Sequence, residues 1–340
     1  MKSIRRICAV VIGFVFFLAG LLKLMDPVGA GLVAEEYYKF LHLAFLAPAA
    51  PFTGVAMALL ETVLGAALLT GVWPRLTAIA TGIVLGFFTL LTFVLWRVNP
   101  DMDCGCFGEA VHLTHLQSLL KNLALCVLWA LAFIPLKAVA KPRKVKFVSF
   151  SVAVLSVAAF TVYSLFRIPA IDFTSLKPGV TLMQAQQTPD EDAPLLSVCC
   201  DDDGDYCDWM LAKGPVMAVS AYDAEALSAH DTGKLRAFAD SLDGTVRTMF
   251  LLSGEQPALP GSFSSDRRTL LTLNRSNGGA TLISDGVVVA KWPLRSLPDR
   301  ERVAGLLEQD PAEAMMKENT PKRLRLQGFL LYVFAVLLLL

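Results

Sequence analysis

Ile7-Cys8-Ala9-Val10-Val11-Ile12-Gly13-Phe14-Val15-Phe16-Phe17-Leu18-Ala19-Gly20-Leu21-Leu22-Lys23-Leu24-Met25 carries a single charge, Lys23, in 19 residues. At about 1.5 Å per residue, a helix of that length approaches the roughly 30 Å hydrocarbon core of a bilayer. Four further runs of this kind follow: Pro51 to Trp73, Leu76 to Trp96, Leu116 to Leu136 and Phe147 to Phe166. A sixth, Phe329 to Leu340, falls short of the about 20 residues a span usually needs. It reads as a short anchor, an interfacial helix or a truncated span.

The whole chain agrees with this pattern. It has 340 residues, 55% of them hydrophobic, and a mean hydropathy of +0.55, which marks an integral membrane protein with a soluble part whose first partner is the lipid bilayer. Thirty basic residues balance thirty acidic ones, so charge gives no argument for a nucleic-acid partner. Lys2, Arg5 and Arg6 precede the first run as in a signal peptide, but Lys23, Asp26 and Pro27 stand where a small-residue cleavage site would be, and the run reads as a retained helix.

Placing its basic end in the cytoplasm puts Arg75 in the second cytoplasmic turn and Lys137, Lys141, Arg143, Lys144 and Lys146 in the third, as the positive-inside rule prefers. The expected location is a bacterial inner membrane crossed several times, with the N-terminus cytoplasmic and the soluble domain periplasmic. Lys317, Lys322, Arg323 and Arg325 would then lie outside, which a long translocated domain tolerates.

The expected organisation is a four-helix transmembrane module over 1–140, a fifth transmembrane helix over 141–167, a linker with cysteines over 168–212, a small α/β domain over 213–310, and a basic linker with the last apolar run over 311–340. Asp26 to Ala50 suggests an amphipathic helix on the outer surface, and Gly65, Ala66, Ala67, Ala78, Gly82 and Gly86 would let helices approach closely. Thr188-Pro189-Asp190-Glu191-Asp192-Ala193-Pro194 reads as an exposed linker.

Beyond it the patterning predicts a strand at Val216 to Tyr222, a helix at Thr232 to Leu242 and a strand at Thr245 to Leu252. More strand is predicted at Thr269 to Asn274 and at Thr281 to Lys291, folding at Asp285-Gly286, and a helix at Asp299 to Gln309 bearing Val303, Leu306 and Leu307 on its apolar face. That order is the one of a small thioredoxin-like fold. A working thioredoxin would carry C-x-x-C after the first strand, where this chain reads Ser220-Ala221-Tyr222-Asp223-Ala224-Glu225, and a cis-proline before the hairpin, where it reads Gly278-Gly279-Ala280. The domain is therefore read as degenerate.

The chemistry-bearing group lies between the third and fourth runs: Asp103-Cys104-Gly105-Cys106-Phe107-Gly108. Two thiols one glycine apart close a disulfide only under strain, and strained disulfides are readily reduced. Gly105 removes the side chain that would oppose a tight turn. The readings open at this point are a redox pair, an inert loop disulfide, and a metal site short of ligands. Cys199, Cys200 and Cys207 flank an Asp-rich stretch; one pair with one free thiol would suit a shuttle, and a structural disulfide from Cys207 to either neighbour is the plainer alternative. The stretch lacks the glutamate and spacing of a calcium loop. Cys8 and Cys126 sit inside spans and are given no role.

Glu61 falls near the middle of the second run, where an ionisable group is expensive and usually functional. It would pair with Lys23 and relay protons, or serve as hydrogen-bonded helix glue. His112 and His115 are candidate bases for the thiols, though solvated loop histidines are commoner.

Three stretches recur in order: Phe17-Leu18-Ala19-Gly20-Leu21-Leu22-Lys23-Leu24-Met25-Asp26-Pro27; Glu61 followed by Gly65 and Leu68-Leu69-Thr70-Gly71; and Asp103 to Gly108 with Lys121-Asn122 in the next helix. On these the first 140 or so residues resemble the DoxX/MauE superfamily, and the layout is similar to Bacteroidetes-type members with a degenerate thioredoxin-like tail. The resemblance implies a four-helix redox module of the kind that supports disulfide formation, with Cys104 and Cys106 as its reactive pair. It further implies a membrane quinone as cofactor; no metal is predicted, since the cysteine pair lacks a third and fourth ligand. Phe107 and Trp96 would wall the quinone ring, or else anchor the helices at the interface. The function expected is a thiol/disulfide oxidoreductase that couples extracytoplasmic protein thiols, or a thioredoxin-like partner, to the quinone. The alternative is a non-catalytic membrane scaffold presenting the degenerate domain.

Overall fold

A computed structural model describes residues 2–100, 102–135, 144–182, 198–200, 209–254, 259 and 261–339. The chain divides into two compact units, Met1–Phe166 with Gln327–Leu340, and Arg167–Leu326. The linker expected at 188–194 lies outside the described residues.

The first unit is a bundle of five helices long and apolar enough to cross a membrane. They are α1 (Lys2–Met25), α3 (Ala50–Thr70), α4 (Pro74–Val98), α5 (His115–Phe133) and α6 (Lys144–Leu165). Their ends follow from local chemistry. Gly71, at φ +79°, closes α3 in the left-handed conformation, and Pro74 opens α4 where no amide hydrogen is needed. Thr114 and Gln117 form a reciprocal cap on α5. The segment expected to be an amphipathic surface helix folds as α2 (Pro27–Phe40), started by Asp26, whose carboxylate accepts from the Gly29 amide at 3.0 Å.

The tightest crossing is α1 on α3. A Cβ on Gly20 would lie 2.4 Å from the Ala58 carbonyl, and one on Gly65 would lie 2.4 Å from the Phe17 amide nitrogen. Bare backbone is therefore required on both helices. Gly82 similarly accommodates the Trp129 ring, whereas Gly86 faces open space, so the close contact expected there is absent.

The last apolar run ends α11 (Pro311–Leu339), whose residues from Gln327 onward belong to the first unit. Its Val333, Val336 and Leu337 bury against Phe17, Ala153 and Val157 of the bundle.

The second unit is a mixed sheet of order β4-β3-β2-β5-β6. Central β2 (Val216–Ala221) runs parallel to β3 (Arg247–Leu252) through α8 (Ala229–Ser241), and antiparallel to β5 (Gly279–Ser284). β5 turns into β6 (Val287–Trp292) at Asp285 and Gly286, both with positive φ as a two-residue type I′ hairpin requires. β4 (Ser262–Ser264) adds an edge strand that patterning missed. A short α7 (Trp209–Ala212) precedes β2, and α10 (Arg300–Leu307) buries Val303 and Leu306 in the core.

The strand expected at Thr269 to Asn274 is instead helix α9 (Arg267–Leu273). Asp266 decides it, its carboxylate accepting from the amides of Arg268 (2.9 Å) and Thr269 (3.1 Å), so that Leu270, Leu271 and Leu273 bury on one helical face.

The glycine contacts carry a paired test. Gly20→Val should destabilise the detergent-solubilised protein by at least about 1–3 kcal/mol through overpacking. Gly86→Ala should be neutral or stabilising by up to about 1 kcal/mol, as helix propensity favours alanine. Thermal unfolding of both variants measures the difference.

Candidate functional site

α4 ends at Asn99, held in the left-handed region at φ +51°, and α5 begins beyond Thr114; between them lies the loop that carries the two cysteines and the short strand β1 (Cys106–Glu109). Two glycines shape the loop. Gly105 has φ +60° and packs so tightly on α2 that a Cβ would come 2.3 Å from Val33 Cγ1, and Gly108, at φ +62°, donates its amide to the Gly105 carbonyl at 3.1 Å. Tyr37, also on α2, donates its hydroxyl to the Cys104 carbonyl at 2.6 Å. α2 thus grips the loop through one close contact and one hydrogen bond.

The turn brings Cys104 Sγ and Cys106 Sγ to 3.0 Å. That exceeds the roughly 2.05 Å of a disulfide and is a hydrogen-bonding distance between two free cysteines. Cys104 is buried and Cys106 half-buried. The pair is polarised. The hydrogen bond with Cys104 lowers the Cys106 thiol to about 5 against the cost of burial, helped by the charge of Lys121, the Ser118 hydroxyl and Lys23. The Cys104 thiol is pushed up by that same bond and by burial. Burial and the nearby sulfur charge raise the Tyr37 phenol.

Both sulfurs line a cavity of about 220 Å³ inside the bundle, far more than the about 10–15 Å³ that admits one water. Its walls are mainly apolar, with Met57, Phe87, Phe88 and Leu91 prominent. The polar groups are few. Lys23 Nζ meets both Glu61 carboxylate oxygens at 2.8 Å, with both side chains largely buried. Asn122 bonds the Phe88 carbonyl (3.3 Å) and Thr92 Oγ1 (3.2 Å), and the Tyr38 and Thr53 hydroxyls meet at 2.6 Å. Lys121 stands over the Phe107 ring at 5.0 Å, and Lys23 over Phe88 at 5.8 Å.

The structure therefore brings Cys104, Cys106, Lys23 and Glu61 to one cavity. His112 does not line it: its Nδ1 pairs with Asp103 at 2.9 Å in an exposed position. His115 bonds the Pro100 carbonyl at 3.1 Å and is likewise absent from the lining. Neither Phe107 nor Trp96 walls the cavity; Phe87 and Phe88 do. Cys199 is buried in the core of the second unit, and Cys200 exchanges backbone hydrogen bonds with Ser264 at the sheet edge (2.8 and 3.1 Å). Cys207 lies outside the described residues. Among the described residues no group of three or more His, Cys, Asp or Glu side chains could hold a metal ion.

Sequence reasoning missed Ser118 as a partner of the sulfurs, and Tyr37, Tyr38 and Thr53 as part of the site. One signal was present: Ser118, Lys121, Asn122 and Leu125 fall at helical spacing within an otherwise apolar run, which puts three polar groups on one helix face.

Residues 1–136 match the model of the family described as methylamine utilisation protein MauE. The matched region covers α1 to α5 and the whole cavity lining, and this membrane domain is what the chain shares with that family. No curated protein and no solved structure matches the chain.

The buried ion pair makes a sharp prediction. Lys23→Met or Glu61→Gln alone strands one buried polar partner and should cost about 3–5 kcal/mol of stability, whereas the double variant should recover most of the loss. Unfolding of the three variants in micelles gives the coupling; strictly additive losses would contradict it.

Proposed function

We propose that the bundle is a membrane thiol/disulfide oxidoreductase in which Cys104 and Cys106 cycle between dithiol and disulfide. The carrying observation is the pair of sulfurs, 3.0 Å apart, opening onto an apolar cavity inside the membrane domain. A loop disulfide serving only to brace a turn would have no need of a polarised pair or of an adjoining chamber.

A membrane quinone fits that chamber: aromatic and aliphatic walls would hold a ring, and Lys121, Lys23 and the Tyr38 and Thr53 hydroxyls supply donors for its oxygens. When bound it would supply a two-electron, two-proton acceptor for electrons drawn from extracytoplasmic protein thiols. On this reading the sulfurs give up two electrons as their bond forms, and the two protons leave them. The Lys23–Glu61 pair, buried and hydrogen-bonded along the cavity wall, holds a proton at the Glu61 carboxylate or passes it on.

The sheet domain would recruit the protein that brings the thiols. Its strand order and polarity support a thioredoxin-like module used for binding, since Ser220 and Ala221 occupy the end of β2 in place of cysteines. Either Cys199 or Cys200 would serve as a shuttle between this module and the bundle, or as a structural cysteine with Cys207. The proposed setting is a bacterial inner membrane with the cysteine loop and the sheet domain on the periplasmic side.

The test is thiol-dependent quinone reduction by the purified full-length protein, with a reduced protein thiol as donor and a short-chain quinone as acceptor. Cys104→Ser, Cys106→Ser and the double variant should all fall to the uncatalysed rate, because two sulfurs of one bond act as a unit. Activity unchanged by these substitutions would favour the bundle as a non-catalytic anchor for the sheet domain.

A further inference from the structure

The sheet domain holds a second set of charges that the cysteine chemistry does not use. Cationic side chains from three parts of the domain line one narrow cleft: Arg275 just past α9, Lys291 near the end of β6, and Lys322 and Arg323 on α11. Arg275 and Lys291 are only 7% and 5% exposed, and cations are seldom buried unless something holds them. The C-terminal end of α9 does so. Arg275 donates to the Leu271 carbonyl and Lys291 to the Thr272 carbonyl, each at 3.1 Å, where a helix leaves carbonyls without partners of its own. Both cations are thereby fixed in place before any ligand arrives.

A single carboxylate lines the cleft with them. Asp172 is already committed, its Oδ2 accepting from Lys291 at 2.6 Å and its Oδ1 from the Thr174 amide at 2.9 Å. Glu318, one turn back on α11, meets Lys322 at 3.3 Å, while Arg302 holds both of its oxygens at 2.7 and 2.8 Å. Charge-assisted bonds usually measure about 2.7–2.9 Å, so Lys322 is the weaker partner of the two. Arg323 is exposed and has no ion-pair partner among the described residues. The lining therefore keeps an excess of positive charge.

Ile168, Pro169, Ala170 and Pro178 complete the rim on its apolar side. Ile168 follows Leu165, the last residue of α6, by no more than about 10 Å of extended chain. Arg323 precedes Gln327, where the chain rejoins the membrane unit, by about 6 Å along α11. Chain connectivity alone thus keeps the cleft close to the headgroup layer where α6 leaves the bilayer. Its enclosed volume is about 20 Å³, and one water takes about 10–15 Å³ on that scale. Such a space admits oxygen atoms and no ring or chain. Cations that converge from three elements suit a tetrahedral oxyanion, whereas a planar carboxylate offers one fork.

We propose that this cleft is a phosphate-binding site, in which Arg275, Lys291, Lys322 and Arg323 hold the phosphate of an anionic lipid headgroup. The shared chemistry is the phosphate group, and nearness to the headgroup layer favours lipid as its source. Basic pockets beside transmembrane helices recognise headgroups by the same physics. The site is independent of the cysteine pair and of any quinone.

The test titrates purified full-length protein in detergent with dioleoylphosphatidylglycerol, with dioleoylglycerol, which lacks the phosphate, and with inorganic phosphate. Native mass spectrometry counts bound lipid, and calorimetry follows inorganic phosphate. Phosphatidylglycerol should bind at one saturable site and dioleoylglycerol should not. Lys322→Gln with Arg323→Gln should weaken that binding about tenfold or more. Lys317→Gln with Arg325→Gln makes the same charge change on the same helix outside the cleft, and should leave binding unchanged. Arg323→Gln alone, at an exposed position without an ion pair, spares the fold and should weaken binding in the same direction. Saturation by inorganic phosphate alone, with the same dependence on Lys322 and Arg323, would uphold the phosphate site and overturn its lipid source. Equal losses in the two double variants, equal binding of dioleoylglycerol, or binding of neither phosphate ligand would overturn the site itself.

Discussion

Glu61 and Lys23 place two opposite charges inside an apolar bundle, where burial is tolerated because they are paired and hydrogen-bonded. They meet because α1 and α3 cross with almost no side chain between them, Gly20 lying against the Ala58 carbonyl and Gly65 against the Phe17 backbone. That crossing sets one wall of the cavity. α2 follows directly, started by Asp26 three residues after Lys23, and carries Val33 and Tyr37 to the cysteine loop. The position of the sulfurs therefore traces back, through a single short helix, to a helix crossing that only glycine permits.

The consequence for chemistry is a pair of thiols held together beside charged and hydroxyl groups. The loop is pinned through the Cys104 carbonyl, while Lys121 and Ser118 act on both sulfurs. The cost of burying a thiolate is met by donors already in place, the condition under which a buried charge is tolerated. The cysteine loop and the architecture of the membrane domain then become one problem, because the donors are residues of a transmembrane helix.

Much of this was legible in the chain. Five apolar runs became five helices within a few residues of their expected limits, since hydrophobic length is a strong signal where the solvent is lipid. The hairpin at Asp285-Gly286 was equally plain. Thr269 to Asn274 misled because threonine and leucine suit a strand, and the cap at Asp266, which settles the matter, lies upstream of the apolar pattern. Lys23 and Glu61 were visible as charges out of place. Ser118 was legible only as one polar residue on the helix face that also bears Lys121 and Asn122, and nothing in the chain tied that face to the sulfurs. The histidines misled in the opposite sense: proximity in sequence to Cys106 suggested a role, and the loop carries His112 to Asp103 and His115 to a backbone carbonyl.

The central claim is that Cys104 and Cys106 exchange electrons with the membrane, and the most direct measurement is their oxidation state in native membranes while the quinone pool is varied. Acid quenching and alkylation, followed by mass spectrometry of the 102–114 segment, would report it. The account predicts that the pair is a disulfide when oxidised quinone is plentiful and accumulates as the dithiol when the pool is depleted. A pair that remains wholly bonded, or wholly reduced, at both extremes would contradict it.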